Sequence, residues 1–475
     1  MQGALVRRAS VLVIGGGIAG LAAARALVLR GIDDVHVLEL EDSVGGNSRG
    51  HRIGGIACPL GAHYLPVPGE QAHEVRELLH ELGLLRSEAG RTVADERHLC
   101  HSPQERLFFD GAWHEGLLPP AEPGGETLVQ YRRFAQQVRE VQALGFALPT
   151  QRAPWTPAHD ALDRQTFAAW LDQQGLRDRR LRWYLDYCCR DDYGAGPDTV
   201  SAWAGLHYFA SRHGFHAPGQ AEAEREPVFT WPEGNAWLTD RLAAPLQGRV
   251  HTGRTVLKVD EGRHEVQAWA WDEAQQRVEQ WVAPRVVLAV PLFIAARLLA
   301  QAPPALQAAV QRQAHAPWLV ANLHLRQPLV DRLIGAPPAW DNVQFGGDTR
   351  ALGYVDAMHQ STRAHPGPTV LTVYWSLPVT ERSALLQQDW RAWAQAVVAD
   401  LAQLHPDLPG KVQRADLMRY GHAMSIPRPG VRGSAALAAL RGARGRVRLA
   451  HADLAGYSVF EEAYTLGLQA VADWA

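Results

Sequence analysis

Lysine is almost missing from this chain. Lys258 and Lys411 are the only two among 475 residues, so nearly all of the positive charge is arginine. Cysteine is scarce as well, with Cys58, Cys100, Cys188 and Cys189 alone. No pair of them has the spacing of a zinc ligand set or a redox motif, so no metal site is expected. Inert buried thiols in a reducing compartment are expected instead. A strong excess of one charge sign is also lacking. The formal net charge is −3, which gives no reason to expect a nucleic acid partner. There is no internal repeat and no low-complexity tract. The apolar run from Val11 to Leu29 falls just short of the roughly 20 residues that a bilayer span needs. It also holds Gly15, Gly16 and Gly17 near its start and Arg25 within it, so no integral membrane segment is expected. Arg7 and Arg8 lead straight into the first strand without the apolar segment and cleavage site of a signal peptide. A cytoplasmic place is therefore expected, an export signal upstream of Met1 being outside what the sequence displays.

What is present is long enough for two domains or three. Ser10 to Ile14 reads as a short, fully buried strand of mostly β-branched residues. Gly15-x-Gly17-x-x-Gly20 follows and opens an apolar helix that runs to about Arg30, with Gly31 as its stop. A second strand, Val35 to Glu39, completes a β-α-β unit. Each part has a physical task. The first glycine permits a tight strand-to-helix turn, the second lets a diphosphate approach the backbone, and the third lets helix and strand pack closely. The helix N-terminus offers free N–H groups and partial positive charge. Glu39 ends the second strand where a carboxylate can accept hydrogen bonds from ribose hydroxyls and would repel a 2′-phosphate. The stretch predicts a dinucleotide cradle.

A second glycine pair, Gly45-Gly46, lies just beyond the acid. The segments "VLVIGGGIAGLAAARAL", "VHVLELEDSVGGNSRG" and "GAHYLP" resemble the N-terminus of the flavin-containing amine oxidase superfamily, which includes protoporphyrinogen oxidases and phytoene desaturases. Later segments follow in the order that the family has them: "YGAGPDTVSAWA", "FTWPEGNAWLTDRLA", "RTVLKVD", "RVVLAVPL" and "VRLAHADLAGYSVFEEAYTLGLQA". The resemblance implies FAD rather than NAD. It implies an α/β fold, a Rossmann-like FAD-binding domain with an inserted α+β substrate domain. Residues 1–66, 227–315 and 415–475 would build the cofactor domain, and 67–226 with 316–414 the substrate domain. Gly15, Gly17 and Gly20 would serve the diphosphate and Glu39 the adenosine ribose. Gly45 and Gly46 would let backbone pass close to the cofactor, and Val256 would contact the adenine end through its backbone. Asp453 takes the position of the family's terminal acid, and the helix starting near Phe460-Glu461 would aim its N-terminus at the flavin. The family usually has arginine directly after the glycine pair; here Asn47 stands there, with Arg49 two residues on. Ala452 stands where glycine usually precedes the acid.

The resemblance also implies the reaction, a two-electron dehydrogenation of a small-molecule substrate by hydride transfer to flavin N5, with an amine favoured and oxygen a candidate electron acceptor. Many amine oxidases of the family hold a lysine near N5, on a strand after the "AVPL"-like segment. The comparable stretch here is "PWLVANLHL", with Val320 and Ala321 as the nearest counterparts, and neither lysine of the chain can substitute from its place. His63 and Tyr64 follow the family's Gly-Ala pair and are candidates for the flavin face. Trp375, on an expected strand from Pro368 to Pro378, is a candidate wall of the pocket, and Tyr457 is a further aromatic candidate. Thr127 to Leu144 and Phe167 to Arg190 are expected to be helical. The cluster Arg190-Asp191-Asp192-Tyr193 reads first as an ion-pair network or helix cap before Gly194, and second as a binding site for a charged substrate. Two other functions stay open at this point: a desaturase or isomerase of an apolar substrate, and a flavin-bearing scaffold with little turnover.

Overall fold

The structure, a computed structural model, describes residues 4–212, 214–219, 227–330, 335–361 and 366–474. At its centre is a five-stranded sheet in which every neighbouring pair is parallel. Its strands are, in spatial order, Val250–His251, Val35–Leu38, Val11–Ile14, Arg285–Leu288 and Val447–Leu449. All four residues of Val11–Ile14 are buried, as a near-continuous apolar run implies for a parallel strand covered on both faces. The helix Ile18–Leu29 follows at once and ends where Gly31 takes a positive φ of 86°. Three strands of this sheet come from beyond residue 249, so its core is assembled from pieces remote in sequence.

The glycine-started helix is held by a second one, Phe460–Ala470. A Cβ placed on Gly467 would fall 2.2 Å from the Ala19 carbonyl oxygen and 2.9 Å from the Ala22 Cβ. Only glycine lets the two backbones approach this closely. A four-stranded sheet flanks the centre. In it Leu5–Arg8 pairs with Arg277–Ala283, which is followed in space by Val266–Asp272 and the edge strand Arg254–Glu261.

A seven-stranded sheet is built almost wholly from the inserted segments. Its spatial order is Ala112–Glu115, Glu105–Phe109, Asp341–Gln344, Ala351–Asp356, Thr369–Ser376, His315–Leu325 and Val412–Ser425. The last strand keeps its ladder with His315–Leu325 through Ser425, past the expected join near residue 415. One face of this sheet packs on Trp393, Val397 and Leu401 of the helix Trp390–Leu401. The other turns toward the helices Glu126–Gln142, Arg179–Tyr193 and Ala202–Ala210.

The expected helix over Phe167 to Arg190 is in fact two, Phe167–Gln173 and Arg179–Tyr193. Gly175 at φ 67° ends the first, and the Asp178 carboxylate caps the second by accepting from Arg180 N and Leu181 N. Both are ordinary stop and start signals, outweighed in the sequence by an apolar spacing that runs through them. Two arginines near the start of the second helix tie it to neighbouring backbone. Arg180 donates to the Pro120 carbonyl at 2.6 Å and Arg182 to that of Leu176 at 2.5 Å. Among the described residues no helix is long and apolar enough to cross a membrane.

Gly467→Ala is expected to force the final helix off the first and to destabilise the fold by about 1–3 kcal/mol, the usual cost of overpacking. Urea unfolding followed by tryptophan fluorescence reads this directly; an unchanged midpoint would show that the helix contact can relax.

Candidate active site

The first glycine turn behaves as its residue types demand. Gly15 has a φ of 101°, and a Cβ there would lie 2.4 Å from the Ala289 carbonyl on the next strand's exit. A Cβ on Gly20 would lie 1.9 Å from the Gly15 carbonyl. These two glycines are required by the fold itself. Gly17 differs, because a Cβ there would meet nothing within 4 Å. It caps the helix N-terminus without a side-chain hydrogen bond, so the space beside it is a cradle that a side chain would fill.

Gly45 and Gly46, with φ of 122° and 56°, lie against this turn. Gly45 N–H donates to the Gly16 carbonyl at 2.8 Å, and a Cβ on Gly46 would sit 3.4 Å from Gly17 Cα. Glu39 is buried at the rim; its Oε2 accepts from Gly16 N–H at 2.6 Å and its Oε1 from Glu41 N–H at 2.9 Å. Each carboxylate oxygen keeps further acceptor capacity. Arg49 is buried and pairs with Glu41 at 3.1 Å, leaving its Nε without a hydrogen-bond partner. Val256 lies on an edge strand, where the ladder slips between Val256 and Lys258. That strand begins against Glu39, whose carbonyl accepts from Arg254 N–H at 2.8 Å.

The glycine loops connect directly to a cavity. Ala62 N–H donates to the Asn47 carbonyl at 2.7 Å, and a Cβ on Gly61 would fall 2.3 Å from the same oxygen. The next two residues, His63 and Tyr64, line a cavity of about 340 Å³. His63 stacks on Tyr374 with ring centroids 4.4 Å apart and stands 5.3 Å from Trp340. Burial holds its pKa down to about 3, so the imidazole is neutral near pH 7.

The other walls carry Asp191, Asp341 and Glu105 among aromatic side chains that include Tyr187 and Trp340. Tyr64 Oη donates to Asp191 Oδ2 at 3.1 Å, and Tyr187 Oη lies 3.4 Å from Asp341 Oδ2. Burial, then the neighbouring Asp192 carboxylate, push Asp191 up to about 7. Burial and the charges of Glu105 and Asp191 push Asp341 well above the usual carboxylate range. Of these acids the sequence singled out Asp191 alone, and only inside a cluster read first as structural. That reading holds for its neighbours: Arg190 pairs with Asp186 at 2.7 Å and Asp192 with Arg212 at 3.2 Å.

Trp375 does not wall this cavity. It lies on the opposite face of the seven-stranded sheet, beneath the Arg350 guanidinium and near Trp393. Tyr374 is the residue that faces His63. Alternate side chains of a strand point to opposite faces, so the expectation was one residue out of register. Tyr457 is buried against Tyr193 and His207 and does not line this cavity.

Asp453 is fully buried just past the strand Val447–Leu449, against the segment that follows Arg285–Leu288. Its Oδ2 accepts from Leu292 N–H at 2.9 Å, and both oxygens lie 3.1 Å from His315 Nε2. Burial opposes its charge, but His451 and His315 outweigh that and hold the carboxyl well below its ordinary range. In the first turn of the final helix, Glu461 is buried and raised to about 7 chiefly by that burial. Glu462, which the sequence did not single out, accepts from Thr150 N–H at 2.5 Å and so ties this helix to the insert. Val320 is buried on the same strand face as Trp318, in the pair opposite Tyr374. Lys258 is committed to Asp260 at 2.9 Å and Lys411 to Asp407 at 2.6 Å.

A parallel sheet with a glycine cradle at its first strand–helix turn, opening through one short segment onto an acid- and aromatic-walled cavity, is the arrangement of a dinucleotide-binding fold with a cavity beside the cradle. The pattern of the family described as flavin containing amine oxidoreductase matches residues 18–473. The chain belongs to that family, and its cofactor is FAD. It is 28% identical over 258 residues to a Mycobacterium tuberculosis protein assigned as flavin-containing monoamine oxidase AofH, covering 53% of this chain and 51% of that one. It is 31% identical over 217 residues to polyamine oxidase 4 of Oryza sativa subsp. japonica, covering 44% and 41%. The chain thus spans about half the length of the curated relatives it matches. In fold it resembles a putrescine oxidase solved with putrescine, with a TM-score of 0.72 at 19% identity, covering 98% of this chain and 99% of that one.

Because the Gly17 position is open, Gly17→Val is expected to leave the fold within about 0.5 kcal/mol of wild type while abolishing retention of FAD through gel filtration. Retention by this variant would move the diphosphate away from the cradle. Glu39→Ala is expected to weaken retention by about 1.5–3 kcal/mol, the worth of a hydrogen bond to a charged group. Titration of apoprotein with FAD, read by quenching of flavin fluorescence, gives that number.

Proposed function

We propose that this chain catalyses the FAD-dependent two-electron oxidation of a cationic amine. The observation that carries the reading is the cavity wall: Asp191, Asp341 and Glu105 stand among aromatic rings, one covalent segment from the glycine loops. Carboxylates attract an ammonium group, and aromatic faces hold both its charge and its alkyl part. A polyene brings no positive charge to Asp191 and Asp341, so the wall favours an amine over an apolar substrate.

In this reading Gly15, Gly17, Gly20, Gly45 and Gly46 give the cofactor's diphosphate its close backbone approach, with the N-terminus of the helix Ile18–Leu29 beside it. Glu39 takes the ribose, and Val256 the adenine end. Arg49, Asp453 and Glu461 would serve the flavin side of the cofactor. When bound, FAD supplies the two-electron acceptor. The protein's own contribution is to orient the amine: His63 and Tyr374 form a flat neutral wall, and the acids hold the nitrogen. The expected two-domain division fits this arrangement, with the final join moved past Ser425. The four cysteines are unpaired, which supports a reducing compartment such as the cytoplasm.

Anaerobic mixing with panels of primary amines, diamines and polyenes tests the function. Bleaching of the flavin band by amines alone is the expected result; bleaching by polyenes alone would favour the desaturase reading, and silence throughout a scaffold. The acceptor is tested separately. Reduction of oxygen develops negative charge, and Val320 offers no cation to stabilise it. Reoxidation of the reduced enzyme is therefore expected to be slower with oxygen than with a quinone dye at equal concentration. The reverse order would make oxygen the natural acceptor.

A further inference from the structure

Asp191 and Tyr64 meet on the cavity wall. Tyr64 is two residues from Ala62, whose N–H is bonded to Asn47 directly after the Gly45-Gly46 pair. Asp341 is reached instead through Tyr187. Of the three acids, Asp191 is the one joined to the segment that links cavity and cradle. Its Oδ2 accepts the Tyr64 hydroxyl at 3.1 Å, and its Oδ1 has no hydrogen-bond partner among the described residues.

An alkylamine enters water near pH 7 as an ammonium ion, since its pKa is about 10. In that form the nitrogen has no lone pair to support loss of hydride from the adjacent carbon. A proton must leave first. We propose that Asp191, oriented by Tyr64, accepts the proton that the bound ammonium group gives up before dehydrogenation; the proposal rests on the amine reading above. One N–H bond breaks and one O–H bond forms on Asp191 Oδ1. Cation and carboxylate become neutral amine and neutral carboxylic acid, and no electrons are transferred.

The groups facing Asp191 suit the step. On its own helix Asp192 adds negative charge, while Arg190 is turned to Asp186. Arg212, beyond the helix Ala202–Ala210, is drawn to Asp192 rather than to Asp191. Asp341 faces it from the sheet, with the phenols of Tyr187 and Tyr374 in the same region and the Cys188 thiol behind. Burial and Asp192 outweigh Tyr64, Arg212 and Arg190, so the carboxyl sits close to neutrality, where a general base works best. His63 is held too low to keep a proton there.

Two readouts test this. In anaerobic stopped flow with a primary amine, the wild-type rate of flavin reduction at low amine is expected to rise through a limb near pH 7, where Asp191 ionises. Asp191→Asn removes that limb and leaves a rate that follows the free amine in solution. Tyr64→Phe removes the bond that favours the carboxylate and moves the limb to higher pH. The second readout needs no turnover. Tert-butylamine has no α-hydrogen and cannot be dehydrogenated. Its binding to wild type, measured by calorimetry in buffers of different ionisation heat, is expected to release about one proton at pH 6 and almost none at pH 8, by linkage to a group near 7. Asp191→Asn abolishes the difference. If Asp191→Asn does not fold, the Tyr64→Phe shift decides. A limb and a proton release that survive unchanged in the variants overturn the role of Asp191 while leaving amine oxidation standing. Failure of every amine to bleach the wild-type flavin overturns both.

Discussion

The contact on which the rest of the molecule depends is between two stretches of backbone without side chains. Gly45 N–H reaches the Gly16 carbonyl, and Gly46 lies against Gly17. No larger residues could bring the loops so close, since Gly45 and Gly46 have positive φ and Gly15 and Gly20 have no room for a Cβ. This contact closes the cradle, and it also fixes where the chain goes next. The antiparallel strands Gly50–Ile53 and Ile56–Pro59 bring the chain back to Gly61, whose own lack of a side chain lets it pass the Asn47 carbonyl. His63 and Tyr64 are thereby carried to the cavity at a set distance from the cradle. The glycine cradle and the cavity are thus one piece of backbone geometry rather than two features that happen to adjoin.

That distinction decides what could be read in the sequence. Strand, glycine turn, helix, strand and Glu39 are local, and each residue announces its task through its own chemistry. The structure reproduces them almost to the residue. His63 and Tyr64 were legible because they follow the same continuous stretch. The opposite walls were not. Asp341 and Glu105 come from neighbouring strands of a seven-stranded sheet whose order jumps along the chain, and their meeting depends on pairing that no local pattern specifies. Trp375 shows the sharpest limit. Its strand was identified correctly, but the buried strand has apolar residues on both faces, so no alternation says which face meets the site, and a single step of parity puts Tyr374 there instead. Asp191 failed differently: beside Arg190 and Asp192 it has the look of a helix-end ion network, and its neighbours do form one.

The shortage of lysine acquires a meaning in this setting. The two that exist are held by Asp260 and Asp407, and Arg212, which lines the cavity, is engaged with Asp192. A flexible ammonium in the cavity would neutralise Asp191 or Asp341 and take the place that the proposed amine would occupy. A planar guanidinium fixed by a neighbouring carboxylate cannot swing across in the same way. Burial of Asp192 is tolerated because it is paired, while Asp191 is left to be completed from outside.

The same physics makes the cavity selective. Carboxyls gathered in a low-dielectric space cannot all remain ionised, so burial and mutual repulsion raise Asp191 and Asp341 and the cavity carries less charge than its composition suggests. A neutral guest does nothing to relieve that repulsion and would displace the water that solvates the acids. A cation does relieve it, and the field that disfavours each carboxylate becomes the attraction that holds the guest. The wall therefore discriminates by charge before it discriminates by shape. Because Tyr64 and Tyr187 each occupy an oxygen of one acid, the remaining oxygens are presented in fixed directions, and under the proposed function the amine nitrogen would take its position from the same short segment that closes the glycine cradle.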